Sequence, residues 1–417
     1  VLRRWFVGRR KQAGRLHHQE EDRMPTRTLA SRRQFLAASI AGGVWLAGRW
    51  SPVLGQDAPD KTLPAGKKLI VRTPAPLNAE PELADLVREW ITPVESFYVR
   101  NHAKIPAIDL DSYRVTVEGL VAKSLKMSVA ELAQLPAAKL TATLTCAGNR
   151  RSEFTGPKIP GVAWGAAAIG NAEWSGVPLS AVLKRAELKP DAKHVWFEGL
   201  DQIVDKNETF PFGGSIPLEK ALSDQGEIAG AILATHMNGK PLTAEHGAPL
   251  RSIVPGFIGA RSVKWLTKIT VSDRPSPNHY VADAYKVIAE DSRAALDAAQ
   301  PLYEYALNSV ICVPAAKSKA TGKVAVKGFA LPSGVAGRML KGIELSTDGG
   351  KSWVAAKIDS KTAAYCWALW SAEINLPQGA DSLLVRATDS SGETQPREMP
   401  WNVKGYQYNA WHRVPLA

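Results

Sequence analysis

Leu144-Thr145-Cys146-Ala147-Gly148-Asn149-Arg150-Arg151 is the stretch on which the reading of this chain turns. A strand-like run, Leu140 to Thr145, delivers a cysteine at its end. Gly148 and Asn149 then turn the chain, and two arginines follow. A thiol beside guanidinium groups is expected as thiolate, a soft ligand suited to a soft or high-valent metal centre. A lone cysteine is more often a small buried hydrophobe. Here, burying two guanidinium groups beside an inert thiol would be costly without an anion, which favours a site.

Outward from this turn the pattern is mixed. Tyr113-Arg114-Val115-Thr116-Val117 alternates like a strand. Ser128 with Glu131 three positions later forms a capping box ahead of a short helix. Val195-Trp196-Phe197, Ala231-Ile232-Leu233 and Leu250 to Val254 read as further strands. Strands and helices do not alternate regularly, so the expected class is α+β over residues 106–300. From 301 to 417 the texture changes. Val324 to Phe329, Ile343 to Ser346 and Leu383 to Ala387 are short alternating runs separated by turn signals, and helical periodicity nearly vanishes. That predicts a β-sandwich of immunoglobulin-like size. Residues 56–105 are Pro-rich and read as an irregular arm wrapping over the domain that follows. Cys312 and Cys366 both fall in the sandwich, where a disulfide could form in an oxidising compartment but is not needed by the fold.

The chain has 417 residues and a formal charge of +12. Residues 1–55 carry +8 of that charge, leaving +4 for the remainder, which is no nucleic-acid footprint. The basic start reads as a targeting segment. Ser31-Arg32-Arg33-Gln34-Phe35-Leu36 is a twin-arginine pattern, and the apolar run from Phe35 to Gly48 is 14 residues, too short to span a bilayer. Met24 is a candidate start. Export in a folded state, to a periplasm, is the expectation. Three cysteines cannot build a Cys₄ zinc or iron–sulfur site, and no C-x-x-C-H or dinucleotide glycine pattern occurs. Gly349-Gly350-Lys351-Ser352 looks like half a phosphate loop, with Leu345 where its first glycine belongs.

Two more clusters carry charge. In Phe97-Tyr98-Val99-Arg100-Asn101-His102, Arg100 and His102 share one face of an extended chain and could hold an oxyanion. His246, Arg251, Arg261 and Lys264, interleaved with glycine and apolar residues, read as a cradle for a phosphorylated ligand. Tyr285 is either a hydroxyl donor or a packed aromatic.

In this order the clusters resemble the sulfite oxidase family of molybdenum enzymes, from about Thr92 to the C-terminus. The matching stretches are Phe97 to His102, Cys146 to Glu153, Phe197 to Asp201, Gly259 to Leu266, and Asn409 to Val414. The resemblance implies a molybdopterin-binding domain followed by a dimerisation sandwich, usually in a homodimer. It implies Cys146 as the protein ligand of molybdenum. Tyr98, Val99, Arg100, Asn101, His102, Asp201, His246, Arg251, Ser262, Val263 and Lys264 match positions that hold the pterin and its phosphate. Arg100, His102, Arg151 and Tyr285 match the substrate pocket. Lys404 stands where several relatives have Arg; it keeps the charge but loses the planar fork.

Animal members carry a haem domain ahead of the molybdenum domain. Only a signal and a short arm are read there in this chain, with no haem-binding pair of histidines, so no haem is expected. The chain therefore looks like a bacterial sulfite dehydrogenase that oxidises sulfite to sulfate. Its expected acceptor is a c-type cytochrome rather than oxygen, and no nucleic-acid partner or membrane span is expected. A sulfane dehydrogenase of the same fold is the alternative, disfavoured by the Arg150–Arg151 pair. A methionine-sulfoxide reductase subunit would lack the sandwich. A non-enzymatic binding module would leave residues 106–300 unexplained.

Overall fold

The run leading to Cys146 is a strand, Ala138–Thr145, whose last four residues are buried. It pairs antiparallel with Ile169–Pro178 along its whole length, from Ala138 opposite Gly176 to Thr145 opposite Ile169. Ile232–Met237 extends this sheet, and pairs on its other side with Lys240–Pro241 and Arg251–Ile253. The structure, a computed structural model, describes residues 63–417 apart from 65, 206 and 224–229. The basic leader, with its twin-arginine pattern, lies outside the described residues.

A second five-stranded sheet runs in the order Leu125–Met127, Val115–Gly119, Leu266–Ser272, His194–Asp205, Glu208–Pro217. Leu266–Ser272 is parallel to the first of its neighbours and antiparallel to the second, so the sheet is mixed. The hairpin of the last two strands shifts register between Glu198 and Gln202. Such a bulge re-aims side chains, and this one falls at Asp201. The helix Leu179–Ala186 buries Leu179, Val182, Leu183 and Ala186, the spacing of one helical face. The capping box at Ser128 and Glu131 is present, with both reciprocal bonds made. The class is α+β, as the mixed pattern predicts.

Beyond Asn308 the described residues form strands and no helix. Two four-stranded sheets, one built on Asn308–Val313, Gly322–Leu331 and Ala368–Leu376, the other on Leu340–Ser346, Ser382–Asp389 and His412–Pro415, enclose a core that includes Ile311, Val326, Ile343, Trp370 and Val385. This sandwich is bonded directly to the cysteine strand. Thr143 N donates to Tyr365 O at 3.0 Å, Trp367 N to Thr143 Oγ1 at 2.9 Å, and Gln407 N to Ala147 O at 2.9 Å. Trp90 and Trp367 each donate an indole N–H to the other's carbonyl at 2.9 Å. Phe329 and Trp367 pack into the core of the preceding domain.

One expectation changes, and two disfavoured readings are closed. The arm is not irregular throughout: Ile70–Pro74 and Leu77–Glu80 form a hairpin, and Glu80 accepts from Gly165 N and Ala167 N beside the cysteine turn. Cys312 and Cys366 are separate buried thiols, and Cys366 donates to Thr141 O instead of forming a disulfide. The apparent half phosphate loop is filled by its own acid. Asp348 Oδ1 accepts from Lys351 N and Ser352 N, so those amides are not free for a ligand. No helix among the described residues is long and apolar enough to cross a membrane.

Candidate active site

The cysteine turn is held by backbone bonds on both sides. Cys146 N donates to Ala168 O at 2.9 Å and Arg150 N to Gly165 O at 2.7 Å, while Asn149 N closes onto Cys146 O. Asn149 Oδ1 accepts from Ala168 N. At Gly148 the Arg151 guanidinium packs close to the backbone, 2.5 Å from where a Cβ would stand, so a side chain there would push that arginine aside. With glycine in place, the Arg151 side chain folds back over the turn. Cys146 is a free thiol, 8% exposed, set in the wall of two adjoining spaces.

The first space is a concave cavity beside the thiol. Its wall brings together Tyr98, Arg100, Asn101, His102, Cys146, Asp201, His246, Arg251, Ser262, Lys264 and Tyr285, from five separate parts of the sequence. Arg251 is fixed by donating Nη1 to His246 O at 2.9 Å and Nη2 to Ser262 O at 3.0 Å. Lys264 Nζ donates to Asn101 Oδ1 and Glu245 O and lies over the Trp265 ring. Asn101 is held in turn by Asn78 Oδ1 and Leu77 O. Arg100 also donates to Asn78 Oδ1, so the arm hairpin orients both residues.

Burial sets the protonation of this wall. It pushes His102 and His246 well below the usual imidazole range, neighbouring cations adding to the effect, so both rings are neutral. Burial also pushes Lys264 well down, with Arg251 reinforcing and Asp201 opposing. Asp201 is pushed up to about 6 by burial, against the pull of Lys264. Tyr285 is pushed well up by burial and stays protonated. Its hydroxyl is hydrogen-bonded to His102 Nε2 at 2.9 Å, and Phe212 stacks on the imidazole at 4.4 Å.

The second space opens on the same sulfur. It is lined by Arg100, Cys146, Arg151, Pro160, Gly161, Tyr285, Lys404 and Tyr406. Arg151 donates to Gly405 O and Val162 O and sits 5.1 Å over the Tyr406 ring. Tyr406 stacks on Tyr285 at 5.2 Å. Three cations and no acid therefore surround this opening.

Some predicted residues lie elsewhere. Val99 and Val263 are core residues whose backbone polar groups are already used, with Ala79 and with Ser252 respectively. They position their neighbours and present no side-chain contact to the cavity. Arg261 does not join the cradle: it is fully buried and donates to Leu302 O and Tyr280 O. Arg150 also turns away, toward Glu153 and the carbonyls of Ala410 and Trp411. Reading the sequence missed Lys67, Glu245, Phe212 and Tyr406. Glu245 and Tyr406 adjoin residues that were singled out, but no pattern marks Lys67 or Phe212.

Asp201 Oδ1 and Arg251 Nε are buried at the cavity wall without a hydrogen-bond partner among the described residues. Leaving such atoms unmade is expensive, so the cavity is shaped for a polar ligand with both donors and acceptors. Among the described residues no three His, Cys, Asp or Glu converge as metal ligands. A metal at Cys146 would therefore take its other ligands from a bound organic group. A pterin dithiolene bearing a phosphate fits: the thiol for the metal, amide and carboxylate for the pterin, guanidinium and ammonium for the phosphate.

Comparison with known proteins agrees with this geometry. Residues 102–280 match the family described as oxidoreductase molybdopterin binding domain, and 299–417 the Mo-co oxidoreductase dimerisation domain. The chain is 36% identical to sulfite oxidase of Arabidopsis thaliana over 85% of this chain and 95% of that protein. It is 37% identical to mitochondrial sulfite oxidase of Drosophila melanogaster, over 82% of this chain. Of that longer relative it spans 62%, under two thirds of the length. The sulfane dehydrogenase SoxCD of Paracoccus pantotrophus has a similar structure, with a TM-score of 0.71 at 26% identity over 88% of this chain and 92% of that one. Fold and site together define a molybdopterin oxidoreductase. Within that class, the chain belongs to the sulfite oxidase family.

Proposed function

We propose that the protein oxidises sulfite to sulfate at a molybdopterin centre and passes the electrons to an external acceptor. The observation that carries this reading is the opening beside Cys146, where Arg100, Arg151 and Lys404 face one space with no acid among its lining residues. Such a site favours a small oxyanion. The bound cofactor supplies the oxygen transfer and accepts two electrons. Arg100 and Arg151 hold the anion's oxygens and leave its sulfur lone pair turned toward Cys146 and the metal position. Lys404 adds a point charge at the rim. The Tyr285 hydroxyl, kept protonated by burial and bonded to His102, donates a hydrogen bond to an oxygen of the reacting anion. Asp201, Arg251, Ser262 and Lys264 hold the pterin and its phosphate, and Cys146 holds the metal.

Further parts of the proposal rest on sequence. The twin-arginine pattern at Ser31 to Leu36 supports export of the folded, loaded protein to the periplasm. There a c-type cytochrome is the acceptor. The dimerisation-domain match supports a homodimer. The test is sulfite-dependent reduction of cytochrome c by the purified protein, with molybdenum and pterin measured in the same sample. Turnover with cytochrome c and little peroxide is the expected result. Rapid peroxide formation from oxygen would reverse the choice of acceptor, and no turnover by a molybdenum-loaded sample would reject sulfite.

A further inference from the structure

We propose that Lys67, contributed by the N-terminal arm, is a positioning residue for cofactor retention: it neutralises Glu245, a carboxylate in the wall of the pterin cavity. The inference rests on the reading of that cavity as a molybdopterin site.

Glu245 is out of place in an anion cradle. It lines the cavity near Arg251 and Lys264, and its side chain is 6% exposed. An uncompensated carboxylate there would repel a phosphate in a medium of low dielectric. Lys67 meets it. Its ammonium lies 3.1 Å from Glu245 Oε1, is 3% exposed, and is 2.6 Å from His246 Nε2. The third proton goes to Val94 O. All three ammonium protons are thus used, each on a different group, and two of those groups are cavity residues. The His246 contact requires an unprotonated Nε2, so the same lysine fixes that ring's tautomer. Lys67 itself is not part of the cavity wall and acts through Glu245 and His246.

The arrangement also explains why the arm is bonded here. Lys68 N donates to Glu95 O, and Lys67 to Val94 O, so the segment is tied to the 94–95 turn just as its side chain reaches the loop carrying His246. Residues about 180 apart in the sequence thus form one charged unit behind the cofactor site. Of the side-chain cations near Glu245, Lys67 makes the direct ion pair with its carboxylate, while the Arg251 and Lys264 bonds go to backbone carbonyls and Asn101.

The experiment is made on the full chain, expressed in a cofactor-making host and in a host unable to make the pterin. The readouts are pterin released per chain from the first and the melting temperature of the cofactor-free protein from the second. Lys67→Met is expected to lower pterin content about tenfold, one unpaired buried charge against an anion being worth at least that factor. Glu245→Gln alone is expected to keep the wild-type content. Lys67→Met with Glu245→Gln is expected to return within about twofold of wild type, because the repulsive charge is gone. Wild-type content in Lys67→Met would overturn the inference. So would loss of content in Glu245→Gln or failure of the double variant to recover. Lys67→Met breaks a buried pair and is itself expected to lower the cofactor-free melting temperature by several degrees, so pterin content is compared only at a temperature where all three cofactor-free variants are folded. A wild-type chain carrying no pterin at all would instead reject the molybdopterin reading, and this inference with it.

Discussion

Arg150 and Arg151 are neighbours in the chain and serve different domains. Arg150, fully buried and in the left-handed conformation at φ +66°, makes a fork onto Glu153 at 2.9 and 2.7 Å. It also donates to Asn308 Oδ1 and Ala410 O of the sandwich. Arg151 turns the other way, to the opening beside Cys146. One guanidinium joins the domains and the other faces the space beside Cys146.

Arg151→Gln is therefore expected to act on binding. Loss of a charge-assisted bond to the anion costs about 2 kcal/mol, or some thirtyfold in kcat/KM, most of it through KM. Steady-state kinetics with sulfite measure this. An unaltered KM would remove Arg151 from the pocket. The melting temperature should change little, since the two backbone carbonyls it bonds can turn to water at the opening.

Arg150→Met is expected to act on stability. It leaves Glu153 without its fork and Asn308 and Ala410 O without a donor. Breaking a buried pair of this kind costs about 3–5 kcal/mol. Glu153 shows the coupling: burial would raise its pKa, and Arg150 outweighs that and holds it below the usual carboxylate value. Thermal melting should fall by several degrees, and the KM for sulfite of the folded fraction should stay near wild type. A raised KM with unchanged melting would reverse the assignment of the pair.

Gly405→Ala tests the same opening from the backbone. Gly405 sits at φ +61°, where a side chain is strained, and a Cβ there would lie 2.8 Å from Arg151 Cγ and 2.8 Å from Ile159 Cγ2. The arginine must move. Displacement by about 1 Å is enough to cost tenfold to a hundredfold in kcat/KM. A variant with wild-type kinetics would show that Arg151 need not be held in place.

What could be read in the sequence divides along physical lines. Strands with period-two alternation were legible because burial on one face leaves that imprint, as in Val115–Gly119. The cysteine turn was legible because its glycine and its arginines sit within six residues. The direction of each arginine was not, since it depends on φ at residue 150 and on the sandwich more than 150 residues later. Arg261 looked like a cradle cation and is instead committed to two carbonyls. Lys67 left no local signal, because its partners lie on a 3₁₀ turn far along the chain. Charge type is local information; the direction a charge faces is tertiary.

Cys146→Ser should abolish sulfite turnover while the protein still folds and retains pterin, because in the proposed reading Asp201, Arg251 and Lys264 hold that group independently of the sulfur. Pterin content close to wild type with loss of turnover is the expected pair of results. Full turnover by the serine variant would reject the metal-ligand assignment.

The last prediction concerns pH. His412 is buried in the sandwich with Nδ1 accepting from Ile311 N at 3.1 Å, which requires an unprotonated nitrogen. Burial, with Arg150 adding to it and Glu153 opposing, pushes its pKa down to about 4 from the usual 6.5. Between those values the unfolded chain takes up the proton more readily than the folded one. Stability present above pH 6.5 is therefore lost as pH falls toward 4, by about 3 kcal/mol for this residue alone. Denaturant unfolding at pH 7.5 and 5 measures the slope. His412→Gln offers an uncharged side chain that cannot take up the proton, so it should start less stable at pH 7.5 and lose less on acidification than wild type. Equal slopes in the two proteins would mean that His412 is not the titrating group, and would shift the acid sensitivity to the neutral pair His102 and His246.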